Sequence, residues 1–405
     1  MARLGLDFGT SNTGAGVMAG GRPFVIPLED GASTVPTAIF LDFAAKRMVY
    51  GSAAADAMRA GDEGRFMRAL KSVLGTPLAR EERNFLGQRT TLIAVIAGFL
   101  AEMRDRAQNF TGMTFDTALS GRPVRFHSDS DTRDAKAEAD LRMAYDLAGF
   151  RDVAFLPEPQ AAALAVAATG RVLVVDIGGG TSDFTLCDRA NSQTQVLANR
   201  GLRLGGTDFD RVLSLAHAMP LLGHGAQIGA ELGSASHAAP RALFHDLASW
   251  EKIAFVYDAA LLREVRRWIR LAQQPVLFER LAEVLEAHLG HDIAYAVEAG
   301  KIAANGTGAG RIALDVVERG LGADLGRAAL TTALCAHADA IGAEAVQTLA
   351  DASVAPDTVD HVVYVGGSSL LGVVRQAIGA RLPDAKAQDA AVFTAVVEGL
   401  AIAAE

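Results

Sequence analysis

The chain has only two cysteines in 405 residues, Cys187 and Cys335, and neither has a close second cysteine with which to form a metal knuckle or a redox pair. Both are expected to serve as buried small hydrophobes. The nine histidines are dispersed, and His217, His224, His237 and His245 are spaced too irregularly to share a helical face, which argues against zinc. Long apolar runs are missing too. Half of the residues are hydrophobic, yet no stretch reaches the roughly 18 needed to cross a bilayer. Basic residues are outnumbered, 38 against 47 acidic, and form no block, so the net charge of -9 excludes a surface built to neutralise phosphodiesters. Asp7 interrupts the apolar N-terminal region that a secretion signal would need. Together these absences point to a cytoplasmic protein that engages neither membranes nor nucleic acid.

What the chain does have is length, glycine and repetition. Its 405 residues exceed the roughly 250–300 at which one core stops growing, so two lobes are expected. Arg3–Phe8 reads as a strand running into Gly9-Thr10-Ser11-Asn12, and residues 13–18 and 24–27 continue as a hairpin across Gly20-Gly21. Residues 39–49 predict further strands, while 53–74 and 91–110 carry helical apolar recurrence. Strand, aspartate, glycine turn and strand then return: residues 171–176 end in Asp176 and lead through Gly178-Gly179-Gly180-Thr181 to a strand at 184–187. The pattern from 213 to 305 is largely helical, with Leu243, Leu247 and Trp250 on one face and a charged helix at 261–271. Within it, 223–240 is expected to be a loose surface excursion. Alanine-rich helices follow over 325–349, and a third strand, 362–365, meets Gly366-Gly367-Ser368.

A glycine-rich turn after a strand lets backbone N–H groups reach phosphate oxygens with no Cβ in the way, and Ser and Thr hydroxyls add donors. One such turn is a weak signal. Two of them, each following an aspartate by one intervening residue, form the arrangement expected if loops from opposite lobes clasp a phosphate chain. Asp7 and Asp176 would then face a shared Mg2+ through water, because that ion keeps much of its hydration shell.

The same residues carry a family resemblance. Leu4-Gly-Leu-Asp7-Phe-Gly-Thr-Ser-Asn12 resembles the first phosphate motif of DnaK-type (heat-shock-70) chaperones, Val174-Val-Asp176-Ile-Gly-Gly-Gly-Thr-Ser-Asp183 the second, and Leu156-Pro-Glu158-Pro-Gln-Ala-Ala-Ala-Leu164 the first connecting motif. Leu204-Gly-Gly-Thr-Asp208-Phe-Asp210 is similar to the loop after the second phosphate motif, residues 362–369 to the adenosine motif, and residues 393–401 to the helix that returns to the first lobe. The resemblance implies an α/β, actin-like ATPase (ribonuclease H-like) fold of two lobes, each with a mixed five-stranded sheet and helices, with nucleotide in the cleft. Lobe I would span 1–170, with 38–112 as its outer subdomain and 388–405 returning to it; lobe II would span 171–387, with 211–309 as a helical outer subdomain.

It also implies ATP or ADP with Mg2+ and in-line attack of water on the γ-phosphate. Asp7 and Asp176 would hold the hydration shell of the ion, and Glu158 would orient the water or that shell. Lys71, in Ala69-Leu-Lys-Ser-Val-Leu-Gly75, would stabilise γ-phosphoryl charge, and Thr181 would bond that phosphate. Gly9, Thr10, Ser11, Asn12, Gly178, Gly179, Gly180, Gly205, Gly206, Asp208, Gly366, Gly367 and Ser368 would bind the nucleotide, with Glu298 and Lys301 on its ribose and base.

Two departures from the family pattern matter. Ile302 and Leu370 stand where the family has an arginine pair that sandwiches the purine, so weaker binding and a looser preference for adenine over guanine are expected. The chain also stops at Glu405, where a DnaK-type chaperone continues into a peptide-binding domain, and this is similar to the short YegD-like branch. The expected function is a slow Mg-dependent ATPase that acts as a conformational switch toward an unknown protein partner. Other classes stay open. They are an actin-fold sugar-type kinase, for which no general base is identifiable, a polymerising actin homologue, disfavoured by Lys71 and the helical region 213–305, and a nucleotide-binding module that does not hydrolyse.

Overall fold

In the computed structural model, which describes residues 2–190, 193–230, 235–390 and 394–405, the strand Arg3–Phe8 buries Leu4, Leu6 and Phe8. It pairs antiparallel with Asn12–Ala19, which pairs antiparallel with Arg22–Ile26. On its other side it pairs parallel with Thr117–Arg122, which pairs parallel with Asp152–Pro157. Gly20 and Gly21, at φ 58 and 75, close the first hairpin as its spacing predicts, because a type I′ turn needs positive φ at both central positions. A short sixth strand, Val35–Pro36, pairs with Asn12–Ala19.

The second sheet repeats this plan with five strands. Gly170–Ile177 is central, antiparallel to Ser182–Ala190 and parallel to His361–Val365, with Gln193–Leu202 and Lys386–Asp389 at the two edges. The repeat visible at Asp7 and Asp176 is therefore one of topology as well as motif. Each aspartate lies near the carboxyl end of its central strand, the edge at which open α/β sheets bind ligands.

One core of small side chains joins the sheets. Ala161, Ala162 and Ala163 of helix Glu158–Ala165 and Ala395, Val396 and Leu400 of helix Ala395–Ala403 pack with Leu119 of the first sheet and Val172, Val174, Val363 and Val365 of the second. The returning helix expected at 393–401 is the second of these; Phe393 lies outside the described residues.

By contacts the chain divides into two compact units, Met1–Gly206 with His337–Glu405, which holds both sheets, and Thr207–Ala336. The second unit is mainly helical, with Arg241–Leu247, Ala259–Leu271, Pro275–Glu286 and Gly290–Thr307 enclosing Phe244, Trp268 and Phe278. Leu243, Leu247 and Trp250 are buried as their spacing predicts, although the helix ends at Leu247 and Trp250 follows in a turn. Among the described residues no helix is long and apolar enough to cross a membrane.

Four local expectations are corrected. The recurrence over 53–74 is not one helix: Ser52–Ala60 stops at Gly61, and Gly64–Arg68 is a strand beside Ala38–Asp42 that buries Phe66 and Met67. The excursion at 223–240 contains a paired hairpin, Gln227–Gly229 with Ser236–Ala238, whose connecting residues 231–234 lie outside the described residues. The helices expected over 325–349 are a single one, Arg327–Asp351, entered from the strand Gly322–Gly326. Cys187 is buried, but Cys335 is exposed, because it lies on the outer side of that long helix.

Candidate active site

The topology places Asp7, Asp176 and Lys71 close enough to Glu158 for its charge to shift their ionisation, together with that of a carboxylate that motif reading passed over, Asp183. Asp183 lies directly across the hairpin from Asp176. Its signal was present in the sequence: a short glycine turn between antiparallel strands must set the residue ending Gly-Gly-Gly-Thr-Ser-Asp opposite the aspartate that precedes the turn. The matching position in the first sheet is Gly14, opposite Asp7.

Lys71 reaches the cluster from the outer three-stranded sheet. After Gly64–Arg68 the chain turns at Ala69, which carries a Cβ yet has φ 59. That conformation costs about 1 kcal/mol and survives only where its surroundings hold it. Leu70 and Val73 bury their side chains in the 3₁₀ turn Leu70–Val73, and Lys71 Nζ is thereby set 2.5 Å from Glu158 Oε1, with side chains only 6% and 12% exposed. Glu158 begins its helix, where the backbone dipole favours a carboxylate.

Burial works against every charge here. It pushes Asp7 up to about 7, helped by Glu158 and opposed by Lys71. Asp183 is pushed up to about 8 by burial and Glu158, although bonds from Thr181 and the Val124 N–H pull the other way. Asp176 is raised well above its usual range by burial, then by Glu158, Asp183 and Asp7. For Lys71, burial is outweighed by Glu158, Asp7 and Asp183 together, which hold the ammonium above the ordinary lysine value and keep it charged.

Four carboxylates thus share one ammonium, and Asp7 Oδ1 is buried with no hydrogen-bond partner among the described residues. More carboxyl groups than one ammonium can neutralise, and an orphaned oxygen, fit a cation that would favour their ionised forms. No three Asp, Glu, His or Cys side chains among the described residues converge tightly enough to ligate a metal directly. The donor set therefore fits a hydrated divalent ion held through water.

Linkage gives a testable consequence. Unfolded carboxyls titrate near 3.8, whereas Asp7 and Asp183 keep their protons in the folded chain up to about 7 and about 8. Their contribution to stability is therefore complete below about pH 4 and is lost as pH rises through these folded values. The metal-free protein should melt at a lower temperature at about pH 9 than at about pH 6, and Mg2+, which favours the ionised carboxylates, should raise Tm more at the higher pH. An equal rise at both would contradict this placement of protons.

The glycine turns meet beside the cluster. A Cβ on Gly179 would lie 2.4 Å from Ser11 Oγ and 3.1 Å from Thr10 Cβ, so the turns that follow Asp7 and Asp176 touch. Gly206 N–H donates to Gly178 O at 3.0 Å, and a Cβ on Gly206 would lie 2.5 Å from Ser368 Oγ, which brings in the third turn. Gly366 has φ 78 and its missing Cβ would stand 2.4 Å from Ile177 O and 2.7 Å from Asp176 Oδ1, so only glycine fits. The structure thus brings together Gly9 to Asn12, Gly178 to Thr181, Gly205, Gly206 and Gly366 to Ser368.

Asp208, Glu298 and Lys301 belong to the second unit. Asp208 pairs with Arg211 at 2.9 Å. Lys301, expected on the ribose and base, is buried with Nζ 2.6 Å from Asp210 Oδ1, and Asp210 Oδ2 also accepts from Trp250 Nε1 at 3.1 Å. Any contact of Lys301 with a nucleotide must compete with this ion pair. Ile302 and Leu370 are exposed aliphatics.

Known proteins are similar to this chain in sequence. The sequence model of the family described as Hsp70 protein matches residues 3–220, just over half of the chain, a segment that contains Asp7, Lys71, Glu158, Asp176 and Asp183. The chain is 32% identical over 234 residues to the Chaperone protein dnaK1 of Prochlorococcus marinus, a match covering 51% of this chain and 34% of that protein. It is 32% identical over 221 residues to the Chaperone protein DnaK of Thermoplasma acidophilum, covering 52% and 34%. The chain spans about a third of the length of these curated relatives. With a family match over more than half of its length and the motif-bearing turns gathered at one edge of two sheets of the same plan, the chain belongs to the Hsp70 family and has its actin-like ATPase fold.

Proposed function

We propose that this chain binds ATP with Mg2+ and hydrolyses it slowly, and that loss of the γ-phosphate changes how two lobes, 1–170 and 171–387, grip the nucleotide. The observation that carries this is the largely buried group of Asp7, Glu158, Asp176 and Asp183 around Lys71, set against glycine turns from both sheets. Mg2+, held through water by Asp7 and Asp176, would supply charge neutralisation for the phosphates. Backbone N–H groups of both turns, with the hydroxyls of Thr10, Ser11 and Thr181, would bind phosphate oxygens. Lys71, kept charged by Glu158, would stabilise the charge that spreads over the γ-phosphoryl oxygens as the bond to the leaving oxygen breaks. Glu158 would orient the attacking water, and a carboxylate of the cluster would take its proton. The resulting switch would act in the cytoplasm on a protein partner.

The test is a phosphate-release assay with ATP and GTP, with and without sugars as acceptors. Phosphate released to water supports the switch, phosphate moved to a sugar supports a kinase on the same fold, and failure to bind either nucleotide overturns the proposal. Asp176→Asn should lower Mg-dependent turnover by about tenfold or more while Tm changes little. The fold tolerates Asn because burial already disfavours the Asp176 anion. Unchanged turnover would remove Asp176 from the mechanism.

A further inference from the structure

Beside the glycine turns lies a small solvent-open pocket lined by Thr10, Lys71, Ser72, Gly180, Thr181 and Arg203 among others. Arg203 stands just before Leu204-Gly205-Gly206, and no motif singled it out. Among the described residues its guanidinium meets no carboxylate. Nη1 lies 3.2 Å from Nδ1 of His127, another residue of the pocket wall, and Nη2 donates to the Ser72 carbonyl at 3.0 Å. His127 is buried with Nε2 2.8 Å from the Leu74 carbonyl, so Nε2 carries the hydrogen and Nδ1 accepts from Arg203. Burial, then the neighbouring Arg203 and Arg133, hold this imidazole below its usual value, although the bond to Leu74 opposes them. Both partners of Arg203 are therefore neutral, and its charge stands in a pocket whose other polar side chains include Lys71 and the hydroxyls of Thr10 and Thr181. A partly desolvated cation without an anion is costly, and the planar guanidinium fork matches phosphoryl oxygens.

We propose, building on the nucleotide function above, that Arg203 binds a phosphoryl dianion in this pocket, either the γ-phosphoryl group of bound ATP or the orthophosphate cleaved from it. The Ser72 carbonyl and His127 hold the guanidinium in place and leave further N–H donors for phosphate oxygens. Because Gly206 bonds to Gly178, this grip on the phosphate is tied through three residues to the glycine turn after Asp176.

The wild-type chain, Arg203→Ala and Arg203→Lys are compared in three measurements: titration with inorganic phosphate without nucleotide, single-turnover hydrolysis of ATP with Mg2+, and release of the cleaved phosphate. Arg203→Ala should weaken phosphate binding by about tenfold or more and Arg203→Lys by less, because lysine keeps the charge. A purely structural role would be lost equally in both, since lysine cannot span His127 and the Ser72 carbonyl together. Slower hydrolysis in Arg203→Ala assigns the contact to the γ-phosphoryl group; unchanged hydrolysis with faster release assigns it to orthophosphate. If Arg203→Ala does not fold, Arg203→Gln takes its place in the comparison. An active wild type matched by the variants in all three measurements overturns the inference and leaves the nucleotide function standing. Arg203-dependent phosphate binding by a wild type that binds no nucleotide does the reverse, and binding of neither overturns both.

Discussion

Lys71→Ala lowers single-turnover hydrolysis of ATP by about 10²- to 10³-fold while nucleotide affinity stays within a few-fold of wild type, the pattern of a group that acts on transition-state charge. Lys71 is the ammonium set among the buried Asp176 and Asp183 and the half-buried Asp7 and Glu158. Its loss also leaves Glu158, 12% exposed and formerly 2.5 Å from Nζ, without a counter-charge. Breaking a buried pair from one side costs about 3–5 kcal/mol unless the survivor takes a proton. The variant should therefore be less stable as well as slow, and more so as pH rises. Adding Glu158→Gln removes the orphaned charge, so the double variant should regain stability without regaining activity. Tm and single-turnover rates for both single variants and the double complete the cycle. Wild-type turnover in Lys71→Ala would remove the lysine from the chemistry, and a double variant no more stable than Lys71→Ala would refute the ion-pair account.

Gly399→Ala destabilises the chain by about 3 kcal/mol or more, the upper range of overpacking. A helical glycine replaced by alanine ordinarily gains up to about 1 kcal/mol. Here the sign reverses, because a Cβ on Gly399 would stand 1.7 Å from Ala161 O and 2.3 Å from Ala161 C, both backbone atoms. Helix Ala395–Ala403 cannot retreat from that contact. On its other side Gly5 approaches Ala401 N and Gly16 approaches Val397 Cγ1, each such that a Cβ would lie 2.9 Å away. The helix is held between the first sheet and the helix that begins at Glu158, and forcing these apart displaces Glu158 from Lys71. Hydrolysis should fall together with stability. Gly306→Ala serves as control, since it is exposed near the end of Gly290–Thr307 with nothing within 4 Å of its missing Cβ. Denaturant unfolding of both variants decides the matter, and a Gly399→Ala protein as stable as Gly306→Ala would show that the helices can part at little cost.

How much of this was legible in advance depended on the range of the interactions concerned. The hairpin across Gly20-Gly21 was readable because a two-residue turn with positive φ is written in two adjacent residues. Helix Leu92–Thr111 was readable because its apolar recurrence is unbroken and Thr91 caps it, accepting from Ala94 N–H. Residues 53–74 misled for the opposite reason. Their apolar residues recur at helical spacing, but Gly61 and Gly64 interrupt the helix, and pairing with Ala38–Asp42 decides the strand.

By itself, then, the sequence determined the first hairpin, the helix Leu92–Thr111 and the repeated motif, because turn glycines, caps and apolar periodicity act within a few residues. Only the tertiary structure decided that Lys71 meets Glu158 across 87 residues, that Lys301 is held by Asp210 across 91, that Asp183 joins the carboxylate cluster and that Arg203 meets no carboxylate among the described residues. Those outcomes follow from strand register and from how closely two backbones can approach, and a residue's near neighbours in the chain encode neither.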